Sequence, residues 1–349
     1  MTLRVIIYRL GVIPLLLLLY ILAACSQQDL DQEEQGMVSL KVLASPGTRT
    51  GEGGTATATL PAKETNIFDL SIFIFNSNGD VIGFTSQDFS DGKPTAVDVK
   101  TRKATGCSVY AVANAKTLNK DTSPFDGVST LSVFQAKYLS FANAKAPNDD
   151  KCLLMMGVSS NFDTSSASSA TIMLKRLASR IDYTIAVNND NETTFPIVVD
   201  SYQLCNVPTS TLYQQSDFTS PSMPSSTTFA DFDKVSTPIS SVAAPTSAGT
   251  YYVYANNGTS KETYLDIQAH SEVQGADGTI YTVWKSNFQV KMPGNHVLPN
   301  YHYKINIVIN GSVEGKNGGF IITYNAYPYF SGSTLNKWQS EPDRNLDLQ

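Results

Sequence analysis

Short runs of β-branched and aromatic residues recur along most of the chain, broken by Gly, Pro, Asn and Ser. Leu70-Ser71-Ile72-Phe73-Ile74-Phe75 reads as a strand, Asn76-Ser77-Asn78-Gly79-Asp80 as a turn, and Val81-Ile82-Gly83-Phe84 as the returning strand of a hairpin. Residues 108–113, 152–156, 170–174, 181–187 and 197–205 carry the same signature, as do 251–254, 264–269, 280–284, 303–309 and 320–324. Near the start, Val38, Leu40 and Val42 alternate with Ser39 and Lys41, which predicts a strand with one apolar face. Near the end, Phe320, Ile322, Tyr324 and Ala326 share one face and Ile321, Thr323, Asn325 and Tyr327 the other. Pro328 has no N–H, so it confines that strand to an edge or ends it. Many short strands with frequent turn signals are the pattern of a β-sandwich protein.

One segment departs from period two. Leu131, Phe134, Tyr138 and Phe141 fall at helical spacing behind Thr130, a residue suited to an N-cap, and predict one amphipathic helix. A Ser-rich stretch at 159–169 precedes Lys175-Arg176-Leu177-Ala178-Ser179-Arg180, after which strands resume, so a domain boundary is expected there. Residues 208–249 are dense in Ser, Thr and Pro and read as long loops with short ordered pieces. No solenoid-type tandem repeat is visible.

The extreme N-terminus follows other rules. Arg4 and Arg9 precede an apolar run over 10–22, shorter than the roughly 20 residues that comfortably span a bilayer. The run closes in Leu22-Ala23-Ala24-Cys25, which resembles the lipobox of bacterial lipoproteins. Residues 1–24 are therefore read as a lipoprotein signal peptide and Cys25 as the lipidated start of the mature chain, the alternative being an uncleaved membrane anchor. Residues 26–35 are polar and acidic, either a solvated tether or a sorting signal similar to those of surface-exposed lipoproteins.

Composition narrows the function classes. Lys and Arg total 25 against 31 Asp and Glu, an acidic excess that gives no reason to expect nucleic acid. Beyond Cys25 the cysteines are Cys107, Cys152 and Cys205; an odd set is no disulfide framework. A Cys107–Cys152 pair and buried free thiols are both open. The three histidines, His270, His296 and His302, lack ligand-spaced companions and read as surface or satisfied core residues. No catalytic or nucleotide-binding motif occurs, and no cofactor or metal is implied. Asn188-Asn189-Asp190-Asn191-Glu192 lacks the alternation of a calcium loop and reads as a turn; Trp284 reads as core.

The two ends of the mature chain carry the informative chemistry. The strand around Val38, Leu40 and Val42 runs into Pro46-Gly47-Thr48-Arg49-Thr50-Gly51-Glu52-Gly53-Gly54, a Gly-rich stretch holding one arginine. Two readings stand: a first strand followed by a loop, or a removable strand with a trypsin-like cleavage site between Arg49 and Thr50.

In several segments the chain resembles the fimbrillins, the FimA-type subunits of type V pili. They are Ser71-Ile72-Phe73-Ile74-Phe75-Asn76-Ser77-Asn78-Gly79, Val109-Tyr110-Ala111-Val112-Ala113-Asn114-Ala115, Leu174-Lys175-Arg176-Leu177-Ala178-Ser179-Arg180-Ile181, Leu204-Cys205-Asn206-Val207-Pro208, and the stretch from Leu298-Pro299-Asn300 into Tyr303-Lys304-Ile305. The resemblance implies an all-β chain of two transthyretin-like β-sandwich domains in tandem, 50–176 with a short helix and 177–349, behind a lipidated propeptide, 25–49. It implies a structural subunit of a cell-surface fimbria with no catalysis. Its partners would be other fimbrial subunits, the outer membrane through lipid on Cys25, and an arginine-specific protease that cuts after Arg49. Cleavage would remove the strand bearing Val38, Leu40 and Val42 and sever the anchor, and a neighbouring subunit's strand would fill the gap. Phe320, Ile322, Tyr324 and Ala326 are the candidate donor face, or simply the last strand of the second domain. The charged tail after Glu341 departs from a donor that ends at the C-terminus, so stalk, tip and anchor subunits all remain open. The reading from another class is a surface lipoprotein that stays lipidated and binds a glycan or peptide near Tyr251-Tyr252-Val253-Tyr254.

Overall fold

The structure, a computed structural model, describes residues 35–44, 60–94, 96–166, 169–189, 195–240, 246–310 and 320–328, and at 44, 283, 284, 310 and 320–328 the backbone alone. Its first half contains β1 (Gln35–Ala44), β2 (Asp69–Phe75), β3 (Val81–Asp88), β4 (Val97–Arg102), β5 (Cys107–Ala113), β6 (Tyr138–Ser140), β7 (Met155–Phe162) and β8 (Ser169–Arg176). Its second contains β9 (Ala178–Asn188), β10 (Ile197–Cys205), β11 (Val207–Pro208), β12 (Ser210–Leu212), β13 (Phe229–Ala230), β14 (Thr246–Tyr254), β15 (Tyr264–Gln274), β16 (Ile280–Lys291), β17 (Tyr301–Asn310) and β18 (Phe320–Pro328). Three short helices, α1 (Ala115–Leu118), α2 (Leu131–Gln135) and α3 (Ala146–Asp149), lie in the first half. The chain is all-β, as its alternating pattern requires.

The first half is one sheet that closes on itself in the order β1-β4-β3-β2-β5-β7-β8. Closure is thin at two corners. β3 meets β4 through the single pair Gly83–Thr101, and β7 meets β8 through two pairs, Met155–Arg176 and Met156–Lys175. Between these two corners lie the runs β4-β1-β8 and β3-β2-β5-β7, in a closed sheet where the sequence pattern predicts a sandwich. Glycine makes both corners feasible. A Cβ at Gly157 would stand 2.5 Å from the Met173 carbonyl oxygen, and one at Gly83 would stand 2.9 Å from the Thr101 side chain. Val38, Leu40, Ile72, Ile74, Val99, Val109, Ala111, Ile172 and Leu174 fill the interior.

The second half packs two sheets face to face. β14-β9-β17-β18 contributes Ile181, Tyr183, Ile185, Tyr303, Ile305 and Ile307; β10-β15-β16 contributes Val199, Leu204, Leu265, Ile267 and Val290. The halves meet with only Leu177 between β8 and β9. A third cluster lies across the junction, joining Phe73, Phe75, Tyr110 and Phe134 to Tyr213, Tyr252 and Tyr254.

Helical spacing misleads beyond one turn. The Thr130 hydroxyl accepts from the Val133 N–H as a cap should, and Phe134 is buried among Phe73, Phe75, Tyr110 and Phe125. The helix stops at Gln135, because residues 138–140 pair antiparallel with β12 instead. That pairing buries Leu139 and leaves Tyr138 exposed, while Phe141 stacks on Tyr254 at 4.9 Å. Tertiary pairing has overridden a local period. The expected strand at 152–156 begins only at Met155, and 208–249 holds three short strands and the start of β14.

A partly buried charge cluster ties β9 to β17. Asp182 accepts from Arg180 Nε at 2.9 Å and from Thr250 Oγ1 at 2.8 Å, and faces His302 Nε2 at 2.6 Å. Burial alone would push its carboxyl up, but the bonds from His302, Arg180 and Thr250 outweigh that and hold it well below the usual carboxylate range.

Two outcomes follow. Gly157→Ala should destabilise the first half by about 1–3 kcal/mol through forced displacement at the β7–β8 corner, measured by denaturant titration. A depressed carboxylate stabilises above the ordinary value of 3.8 and loses that contribution as pH falls through its folded-state value. Asp182→Asn should therefore lower stability at pH 7 by about 2 kcal/mol and flatten the acid side of the stability profile; an unchanged profile would refute the assignment.

Candidate functional site

β1 occupies a slot rather than an edge. Gln35 to Leu40 pair antiparallel with β4 over six positions, and Ser39 to Ala44 pair parallel with β8 over six positions. No other strand joins β4 to β8 among the described residues. Parallel and antiparallel ladders on opposite flanks mean that backbone hydrogen bonds hold β1 along both edges.

The side chains follow from period two. Val38, Leu40 and Val42 are 0%, 0% and 3% exposed, inside the ring, while Met37 and Leu43 are 60% and 40% exposed. The three apolar residues expected to mark a displaced strand are thus the ones in the core. β1 is joined to the rest of its ring through 24 residues, 45–68, which separate it from β2. Arg49 and Thr50 fall in that connection, outside the described residues, as does Cys25. β4, which sequence reading passed over, supplies half of the slot. Its signal was present, for Val97, Val99 and Thr101 alternate with Asp98 and Lys100 and are all buried.

β18 is placed differently. It pairs antiparallel with β17 from Phe320–Ile309 to Pro328–Tyr301 and forms the last strand of the sheet β14-β9-β17-β18. Phe320, Ile322, Tyr324 and Ala326 therefore lie on an edge strand held by one ladder, with Pro328 at its end, as the missing N–H requires. The structure brings this strand to the chain's own second half and not to the slot.

The recurring motifs prove to be junction and turn residues. Asn114 sits at φ 67° with its side chain buried; Oδ1 accepts from the Phe68 N–H at 2.8 Å and Nδ2 donates to the Leu153 carbonyl at 2.7 Å. Asn300, at φ 63°, accepts from the Arg176 N–H at 3.0 Å and donates its own N–H to the Ala178 carbonyl at 3.1 Å. Asparagine is among the few side chains that enter this left-handed region readily. These residues close backbone corners and carry no reactive geometry.

Other candidate chemistry resolves into packing. Cys107, Cys152 and Cys205 are buried free thiols, so the Cys107–Cys152 pairing is not made. Burial pushes Cys152 up to about 12 and Cys205 up to about 11, which leaves both protonated and unreactive. His270 lies between Asp200 at 2.8 Å and Glu272 at 3.0 Å, and His296 faces the Gly294 carbonyl at 2.8 Å. Among the described residues no group of His, Cys, Asp or Glu could hold a metal ion. Residues 190–192 of the acidic turn and the Trp284 side chain lie outside the described residues.

Solved structures share this architecture. A candidate cell adhesion protein from Parabacteroides distasonis superposes with a TM-score of 0.61 at 18% identity, over 84% of this chain and 96% of that one. A second, from Bacteroides eggerthii, gives 0.60 at 20% identity over the same shares. A fimbrilin from Porphyromonas gingivalis gives 0.53 at 16% identity, over 85% of this chain and 98% of that one. At such identities the likeness is one of fold. No curated protein sequence matches the chain. Residues 37–199, however, match the family described as Major fimbrial subunit protein (FimA). The match begins at Met37, inside β1.

If β1 is a keystone of the core, Leu40→Ala should cost about 2–5 kcal/mol, whereas Lys41→Ala, on the exposed face, should stay within about 0.5 kcal/mol. Equal effects in thermal unfolding would contradict the facing assigned here.

Proposed function

We propose that the chain is a structural subunit of a cell-surface fimbria that polymerises by exchanging β1 for a strand of a neighbouring subunit. Residues 1–24 are the signal peptide, Cys25 carries the lipid that tethers the precursor to the outer membrane, and 25–49 is a propeptide. The body consists of two domains, 50–176 and 177–349. An arginine-specific protease cuts between Arg49 and Thr50, and the released propeptide takes both β1 and the anchor with it.

The observation that carries this reading is the slot itself. β1 fills a gap with a ladder on each side and three apolar side chains beneath, yet reaches the rest of its ring only through residues 45–68. Its loss exposes two unpaired strand edges and an apolar groove, which is the surface that strand addition satisfies. The incoming strand must run parallel to β8 and antiparallel to β4, with alternate apolar residues at the sites of Val38, Leu40 and Val42. While the precursor keeps β1, the groove is filled and polymerisation waits for processing.

Phe320, Ile322, Tyr324 and Ala326 are the candidate donor face. One ladder holds β18 and two hold β1, so β18 is the more readily peeled of the two. The partners are other fimbrial subunits and the membrane before processing.

Material sheared from cells should begin at Thr50 on N-terminal sequencing, and Arg49→Ala should leave a lipid-anchored monomer. Normal fibres from Arg49→Ala would refute the cut; surface protein that retains acylated Cys25 would instead indicate an anchor subunit.

A further inference from the structure

The three-residue 3-10 turn Ala62–Glu64 is the first described element after residues 45–59, and both of its polar side chains reach across the junction. The Lys63 ammonium donates to the carbonyls of Pro147, at 3.0 Å, and Asn148. It also lies 5.1 Å from the centre of the Tyr252 ring, within cation–π range. Glu64 is fully buried; its Oε1 accepts from the Tyr252 hydroxyl at 2.7 Å and faces Arg180 Nη1 at 3.5 Å. The Glu64 carbonyl accepts from Arg176 Nε at 2.7 Å. The Tyr252 N–H completes the set by donating to Asn148 Oδ1 at 2.7 Å. Tyr252 on β14 is thus held by Lys63 at its ring, Glu64 at its hydroxyl and α3 at its backbone. None of these bonds involves β1.

We infer that the Ala62–Glu64 turn is a junction pin, which fixes the relative orientation of the two halves independently of β1 and so preserves that orientation when the strand departs. The pin's use rests on the strand-exchange reading; its geometry does not. Other features also span the junction, among them the Arg176 N–H to Asn300 Oδ1 bond. The apolar cluster of Phe125, Phe141, Tyr213 and Tyr254 supplies attraction without direction. The β6–β12 ladder has three residue pairs and supplies one line of attachment. Directional bonds at a second place stop the halves rotating about that line. A subunit joined to its neighbours through a slot in one half and an edge strand in the other needs such rigidity if its position is to pass along a fibre. Arg176 and Arg180 are the two arginines of the Leu174–Ile181 motif, and both turn toward Glu64.

Hydrogen exchange on the full chain separates the pin from the slot. Tyr252→Phe keeps the ring and its lysine contact and deletes only the hydroxyl, so the protein remains folded; Glu64→Gln is the companion variant. Both should raise exchange at least tenfold at the Glu64, Arg176 and Tyr252 amides and leave β1 unchanged. Leu40→Ala should do the reverse, raising exchange along β1 and leaving those three amides protected. Unchanged junction amides in both Tyr252→Phe and Glu64→Gln, or junction and β1 amides moving together in any variant, would overturn the inference. The readout uses uncut monomer, so failure to cleave at Arg49 or to polymerise would count against strand exchange alone.

Discussion

The fold depends on one strand having two ladders. β4 and β8 are the ends of a sheet that nearly closes, tied to their neighbours by one pair at Gly83 and two at Met155 and Met156. β1 converts those ends into a continuous face by pairing with both. A strand in that position contributes backbone bonds on two sides and the burial of Val38, Leu40 and Val42 at once. Burial at about 25 cal/mol per Å² of apolar surface makes three such side chains a large share of a small ring's stability. The segment that completes the core is also joined to the rest of it by a single 24-residue connection.

This arrangement separates two jobs that most domains combine. The face β3-β2-β5-β7 is built from hairpins and antiparallel neighbours, and its outer side is covered by α2 and the junction cluster. The face β4-β1-β8 has its keystone supplied from outside that set. In the proposed mechanism only the second face is taken apart, and the first remains attached to the sandwich through Phe134, Tyr213, Tyr252 and the Ala62–Glu64 turn. Local stability differs between elements of one protein, and here the difference follows the topology.

The polar residues of the motifs that resemble the fimbrillins do structural work. Asn114 and Asn300 take left-handed corners and return their side chains to the backbone, and Arg176 and Arg180 converge on Glu64. A buried corner leaves N–H and C=O groups that must find partners, and these side chains supply them. Their pattern carries the resemblance to the fimbrillins without revealing chemistry, and the histidines and cysteines resolve into polar contacts and packing.

From sequence alone, period-two alternation identified most of the strands, the apolar face of β1, and Pro328 as the end of an edge, because each depends only on which side of a pleat a residue occupies. Sequence order likewise located the change of sheet near Leu177. The tertiary structure decided what those strands join. It put β1 between β4 and β8 rather than at an edge, returned β18 to β17, ended the helix at Gln135 in favour of pairing with β12, and brought Glu64 to Tyr252 across 188 positions. Alternation tells which face is buried but not which strand lies alongside, since every strand offers the same backbone donors and acceptors to any neighbour. Partner choice is settled only when all the faces are buried together.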